Sequence, residues 1–403
     1  MSTGLAHIRN GQSIPLENIP LFTEPEFSGR LSALLAKGYR ACALFGVREK
    51  EDATKLYAVC GDDKNGALYI LSQLCTSGGF ASLTPLFPQL HLFEREIHEQ
   101  TGLLPEGHPW LKPVRFPKNG RARETRASIE TYSDYFRMQG EEMHEVAVGP
   151  VHAGIIEPGH FRFQCHGESV YHLEIMLGYQ HRGIEEALVG GPFEVTPYQM
   201  EAIAGDTSIG HLMAFCQVME TLGGYQPSPW ENMVRAVALE LERCANHTGD
   251  LGALAGDVGY LPTMSYCGRI RGDFLNMTAL LCGNRFGRGL LEPGGLRHGL
   301  DIDRKETLCK RLETALKDFL GATAPLWSES VVADRFEGTG KVTQETAERI
   351  GLVGPAARAC GCIQDIRQDY AHGYYRFAHI PVSSHYSGDV FARAHVRWRE
   401  VKA

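Results

Sequence analysis

GPVHAGIIEPGHFRF at 149–163, HGESVYHLEIMLGYQHRGIEE at 166–186 and MEAIAGDTSIGHLMAFCQVME at 200–220 decide the reading of this chain. Three histidines (His152, His160, His181), two acids (Glu157, Glu185) and Arg182 fall close together there, among glycines and apolar residues. A solvated loop is less apolar, and a plain core carries fewer titratable groups. The mixture predicts a buried polar site in which burial shifts proton affinities. The run 160–177 alternates apolar and polar residues, so it predicts a β-hairpin turning at His166-Gly167-Glu168. Helical spacing takes over from Arg182, and the piece from Met200 to Glu220 predicts a helix.

The chain has 403 residues, 43% apolar and 22% charged, which suits two globular domains and excludes a disordered chain. Its 40 basic and 48 acidic residues give a net charge of −8, which argues against nucleic acid as a partner. No apolar run reaches the roughly 18 residues of a membrane span, and the first twenty residues lack the pattern of a signal peptide. The expected location is therefore cytoplasmic, on the membrane's inner face only through partner subunits. The eleven cysteines are scattered and read as free, mostly buried thiols; Cys360-Gly-Cys362 is the one close pair, with poor spacing for a metal loop.

Residues 1–118 predict a small α/β domain. A helix is expected over Phe27–Lys37, followed by strands at Arg40–Val47, Lys55–Cys60 and Ala67–Leu74, the last two joined by a turn at Lys64-Asn65-Gly66. FEREIHEQ then forms a short helix stopped at Gly102. Residues 119–148 are highly charged and read as a linker. Residues 149–403 predict a mainly helical bundle with a small β element near its entrance. Ser228-Pro229 caps its clearest helix, Asp301–Leu320 gives another, and HYSGDVFARAHVRWRE gives the last. The fold class is α+β.

These blocks carry a resemblance. FEREIHEQTGLLPEGHPWLKP at 93–113 resembles the C subunit of NADH–quinone oxidoreductase, respiratory complex I. GPVHAGIIEPGHF, LGYQHRGIE, ERCANHTGDLGALAGDVGY, RFGRGLLEPGG, DRFEGTG, GLVGPAARACG and GDVFARAHVR resemble, in order, the D subunit and the large subunits of nickel–iron hydrogenases. The whole resembles a C–D fusion such as the large subunit of formate hydrogenlyase and of membrane-bound energy-converting hydrogenases. The resemblance implies a subunit of a membrane-associated oxidoreductase. Its partners would be an iron–sulfur subunit resembling the complex I B subunit and membrane proton-pumping subunits, with quinone as a candidate acceptor. In this family the NADH site lies on a different subunit, and no G-x-G-x-x-G follows a clear strand here.

The departures from the family pattern bear on chemistry. Family members with nickel and iron resemble R-x-C-G-x-C before the helix that carries His211, and soft thiolates suit those metals. The two cysteine positions hold Ala204 and Thr207 here. The sequence ends at Ala403, where the family continues to a second C-x-x-C. The expectation is no nickel–iron centre, no metal ligands and no redox cofactor bound by this chain. The complex I quinone site is altered as well: its second histidine falls at Ile156 and its tyrosine at Gly205.

Each candidate residue has two readings. Glu157, matching the acid of the GPxHxxxxEP block, is either a proton carrier in an apolar pocket or an acid capping the turn before Pro158. His152 and His160 line the same cavity or bond backbone groups, the second being the preferred reading for His160. His211 is a proton-handling group or a satisfied core histidine. Asp206 and Thr207 hold an acceptor or water, or refill the space left by the metal loop. His181, Arg182 and Glu185 lie near a partner's cluster or form an intersubunit ion-pair set.

Overall fold

The computed structural model describes residues 4–50, 53–115, 135–151 and 158–403. His152 and Glu157 lie outside the described residues. Internal contacts divide the chain into two compact units. One takes in most of residues 1–183; the other holds 184–403 with two short pieces, 8–13 and 63–66. Secondary structure is mixed: a sheet-rich N-terminal part and a helical C-terminal part.

One sheet has five strands: β1 (Ala6–Arg9), β2 (Leu21–Phe22), β3 (Arg40–Lys50), β4 (Ala53–Asp62) and β5 (Ala67–Cys75). They run in the order β1-β5-β4-β3, with β2 paired to β5. Helix α1 (Glu24–Ala36) begins at a capping box, in which Thr23 and Glu26 satisfy each other's backbone amides. It packs on β4 and β5, burying Phe27, Leu31, Leu34 and Leu35 against Leu56, Ala58 and Leu71. Helix α2 (His91–Thr101) packs on β3 and stops at Gly102, whose φ of 79° is cheap only for glycine. Two short strands, β6 (Gly79–Ala81) and β7 (Leu104–Glu106), pair beside it.

The FEREIHEQ block has a structural explanation. Buried Glu94 accepts from Thr84 Oγ1 at 2.7 Å, Ser82 Oγ at 2.5 Å and the Leu83 amide at 2.8 Å. Arg95 donates to the Pro113 carbonyl at 3.0 Å and lies 4.8 Å from the Trp110 ring centre. The acid and the base of this short helix thus tie down the segments on either side of it.

A second sheet has three strands: β8 (Met143–Val148), β9 (His160–His166) and β10 (Ser169–Met176), in the order β10-β9-β8. The hairpin turns at Gly167, φ 57°, as expected. Two expectations are corrected here. Residues 143–148, read as the end of a linker, form a strand, because the end of that segment (MHEVAV) pairs Val146 with Phe163 and Val148 with Phe161. The three strands also group with the first unit rather than with the helical part. The apolar side of this sheet faces out: Val146, Val148, Leu173 and Ile175 are 38–43% exposed. On the other side Glu174 is buried and ion-paired with Lys112.

The second unit is a helical bundle that includes α3 (Ser208–Gly223), α4 (Pro229–Asp257), α5 (Leu261–Cys282), α6 (Ile302–Thr323), α7 (Gly354–Ala359) and α8 (Val390–Lys402), with loops and further short helices between them. Ser228 caps α4 by accepting from the Glu231 amide at 3.2 Å, as its Ser-Pro start predicts. Asp301 and Asp389 cap α6 and α8 in the same way. Leu212, Leu241, Leu251, Ile270, Phe274 and Phe319 form the centre of the core. Helices α4 and α5 approach closely because Gly252 faces α5; a Cβ there would lie 2.9 Å from the Cys267 Cβ. The glycine-rich stretch between α5 and α6 folds a small hairpin, β11 (Leu291–Glu292) and β12 (Gly295–Leu296).

Polar networks brace this bundle. Arg235 of α4, 1% exposed, donates to both Glu220 oxygens (3.1 and 2.7 Å) and to the Glu292 and Gly295 carbonyls. Glu400 of α8 accepts from Arg358 of α7 at 2.5 and 2.9 Å and bonds His247 Nε2 of α4 at 2.7 Å. Burial holds His247 below its ordinary value, with Glu400 opposing. Glu400 is pulled down to about 2: burial pushes it up, but His247 and Arg358 together win. The permanent charge of Arg358 therefore keeps Glu400 ionised, with a neutral His247 donating through Nε2. An unfolded histidine charges near pH 6.5, whereas the buried one resists, so folding loses stability as pH falls below about 6.5. Urea unfolding of His247→Gln against the parent chain reads this. The stability gap between them is smaller at pH 5.5 than at 7.5; an equal or wider gap contradicts it.

Candidate functional site

Among the predicted residues, the second unit brings together Asp206, Thr207 and His211. The helix expected from Met200 starts only at Ser208. Gly205 and Asp206 favour turns over helix, and residues 201–207 run as bends into α3. Thr207 holds the N-cap position, but its side chain does not cap. Its Oγ1 lies 3.1 Å from His211 Nδ1, and its carbonyl lies 2.7 Å from the same nitrogen. A carbonyl only accepts, so Nδ1 carries hydrogen, and Nε2 is the basic nitrogen of the neutral ring. His211 is half-buried, and Asp206 is exposed, its carbonyl accepting from Asn246 Nδ2 at 3.2 Å.

Helix α3 is capped from outside. Glu242 of α4, 9% exposed, accepts from the Ile209 amide at 2.8 Å and the Gly210 amide at 3.1 Å. Burial pushes this carboxyl up to about 7 against the two amide bonds; Asp206 adds to the rise and Arg243 opposes it. Sequence reasoning misses Glu242, although a signal exists. It stands four residues after Ala238 and three before Ala245, on a face that is buried throughout. An acid at that spacing is a buried acid.

The remaining predicted residues do not join this group. His181, Arg182 and Glu185 are exposed on this chain, not buried as the apolar setting of LGYQHRGIE suggests. The glycines around them lead the chain over the surface. Arg182 donates to Gln180 Oε1 at 3.0 Å. His160 Nδ1 lies 3.3 Å from the Gly149 carbonyl, the backbone role expected of it. Among the described residues no three His, Cys, Asp or Glu side chains gather as a metal-binding group. At the positions where the resemblance places a first thiolate pair, Ala204 offers a methyl and the Thr207 hydroxyl lies 3.1 Å from His211 Nδ1, and neither side chain is a thiolate. Cys360 and Cys362 are buried; burial pushes Cys362 up to about 11, and Cys360 Sγ bonds the Ala356 carbonyl at 3.3 Å. They are inert thiols.

Comparison with known proteins meets these blocks at both ends. Residues 39–123 match the family model of the respiratory-chain NADH dehydrogenase 30 Kd subunit, and residues 257–403 match that of the 49 Kd subunit. This is a fused 30-kDa- and 49-kDa-subunit-like chain. Its relatives fall on both sides of that family. Formate hydrogenlyase subunit 5 of Escherichia coli is 29% identical over 80% of this chain, which spans 59% of that subunit's length. Carbon monoxide-induced hydrogenase of Rhodospirillum rubrum is 27% identical over 64% of the chain and 72% of its own length. The C/D subunit of NADH-quinone oxidoreductase of Bdellovibrio bacteriovorus is 23% identical over 86% and 65%. The fused chain is thus related both to complex I C/D subunits and to hydrogenase subunits. Formate hydrogenlyase subunit 5 and the C/D subunit carry the names of parts of larger enzymes. Among the described residues no helix is long and apolar enough to cross a membrane.

Proposed function

We propose that this chain is a peripheral-arm subunit of a membrane-associated, complex I-related oxidoreductase that works without a nickel–iron centre. Electrons come from an iron–sulfur subunit resembling the complex I B subunit and pass to a quinone or another acceptor. Proton movement follows in membrane partner subunits, which hold the complex at the inner face of the cytoplasmic membrane. The chain itself binds no redox cofactor and supplies cavity walls and proton groups. Glu157, His152 and His211 handle protons; Asp206 and Thr207 line the acceptor's side; His181, Arg182 and Glu185 face a partner. Each carbonyl of a quinone takes up one electron and one proton on reduction. His211, with Nδ1–H held by the Thr207 carbonyl, presents Nε2 as the atom that carries such a proton.

One observation carries this reading: Ala204 and Thr207 stand where the resemblance to nickel–iron large subunits places thiolates, and Thr207 is turned to His211. The outward apolar side of the β8–β10 sheet supports a chain whose surface is covered in an assembly. The match to formate hydrogenlyase subunit 5 over 80% of the chain favours a second reading, an active hydrogenase subunit. Mass spectrometry of metals in the natively purified complex separates the two. Iron without nickel, and no hydrogen uptake with a dye acceptor, is the expected result. Stoichiometric nickel overturns the proposal in favour of the hydrogenase.

A further inference from the structure

We infer that Glu242 is the positioning residue of the His211 site, setting by its own protonation how the first turn of α3 presents Thr207 and His211. The inference rests on the reading that this segment borders the reaction site.

An N-cap threonine ordinarily satisfies an amide of the first helical turn with its own hydroxyl. Thr207 does not do so, because that hydroxyl lies against His211 Nδ1. The free amides of Ile209 and Gly210 go instead to Glu242, reached across from α4. Gly210 permits the approach: a Cβ there would lie 3.3 Å from Glu242 Oε1. The cap and the histidine site are therefore one mechanical unit. Thr207 turns its hydroxyl and carbonyl to His211, and Glu242 holds the Ile209 and Gly210 amides.

Ionised, Glu242 offers one oxygen to each amide, and its charge complements the positive end of the helix. Protonated, one oxygen becomes a hydroxyl that must donate, and one amide loses its acceptor in a buried place. The first turn then relaxes, and the Thr207 carbonyl moves relative to His211 Nδ1. The charged groups facing Glu242 are Asp206, from the loop that enters α3, and Arg243 on its own helix. Burial and Asp206 together place the change near neutrality, in the range where proton-handling groups work.

The test uses the full chain, labelled with carbon-13 in isoleucine and threonine methyls, followed by NMR from pH 5.5 to 8.5. The Ile209→Val and Thr207→Ser variants assign the two signals. The Ile209 methyl is expected to shift with one inflection near pH 7, and the Thr207 methyl to follow it. Both inflections remain in His211→Gln, where no imidazole lies beside Thr207, and adding Glu242→Gln removes both. The inference is overturned by an Ile209 curve that is flat in the parent chain or unchanged in Glu242→Gln, or by a Thr207 signal in His211→Gln that does not follow Ile209. Should Glu242→Gln fail to fold, exposed Asp206→Asn serves: the inflection moves to lower pH, and an unmoved one overturns the inference. No acceptor, metal or partner enters the measurement, so its failure is separate from that of the proposed function, which the metal assay decides.

Discussion

Replacing Arg358 with methionine lowers the free energy of unfolding by about 3–5 kcal/mol, the usual cost of leaving a buried charge without its partner. Glu400 is 7% exposed and Arg358 4%. Two guanidinium bonds hold Glu400 Oε1, and a third bond from Arg358 goes to the Gln364 carbonyl at 2.9 Å. Methionine fills the volume but leaves Glu400 with the hydrogen bond to His247, which burial keeps neutral, and the more distant charge of Arg367. The carboxylate must then protonate or draw water into the seam where α7, α8 and α4 meet. Because all three helices lose a shared anchor, the damage is not local. Adding Glu400→Leu to the same chain removes the orphaned charge and restores most of the loss, since an apolar replacement of a buried pair is often neutral. Urea unfolding of the single and double variants measures both. A single-variant loss below about 1 kcal/mol, typical of an exposed pair, would show that water reaches this seam.

Arg235→Ala is expected to cost at least as much, about 3–5 kcal/mol, with added loss from unpaired carbonyls at about 1–3 kcal/mol per buried group. Arg235 joins three pieces of chain that are distant in sequence: Glu220 at the end of α3, its own helix α4, and the β11–β12 hairpin through the Glu292 and Gly295 carbonyls. The Gly294 amide also donates to Glu220 Oε1 at 2.8 Å, so the hairpin hangs on both members of the pair. The substitution removes the guanidinium and much side-chain volume, so a cavity adds to the cost. Thermal unfolding gives the total, and limited proteolysis shows its location. Cleavage within the 285–299 stretch rises before the bundle melts. If Arg235→Ala unfolds with the parent's midpoint and an unchanged cleavage pattern, the pair is ornamental.

Local signals in the sequence are reliable where one residue settles one backbone choice. The Ser228-Pro229 start of α4, the Gly102 stop of α2 and the Gly167 turn are each decided within a few residues, and each stands where expected. The segment before α3 misleads because its apolar spacing continues through Met200–Ile203, and only Gly205 and Asp206 interrupt it. The strand at 143–148 is hidden by charge. Its polar residues find partners across the sheet, Glu145 meeting Arg162 at 2.5 Å and Gln164 at 2.8 Å, and such pairing is not a local property.

The two-part α+β order, the family blocks and the presence of Ala204 and Thr207 where the resemblance places thiolates are all written in the linear chain. They depend on residue identity and short-range periodicity, and need no knowledge of what packs where. Which titratable groups meet is settled by packing instead. Packing leaves His181, Arg182 and Glu185 at the surface, turns Thr207 from the helix to His211, and brings Glu242 from α4 to cap α3. A proton affinity depends on burial and on neighbours within a few ångströms. Glu242 and Ile209 are 33 residues apart in the chain, and only the placement of α4 beside α3 makes them a hydrogen bond.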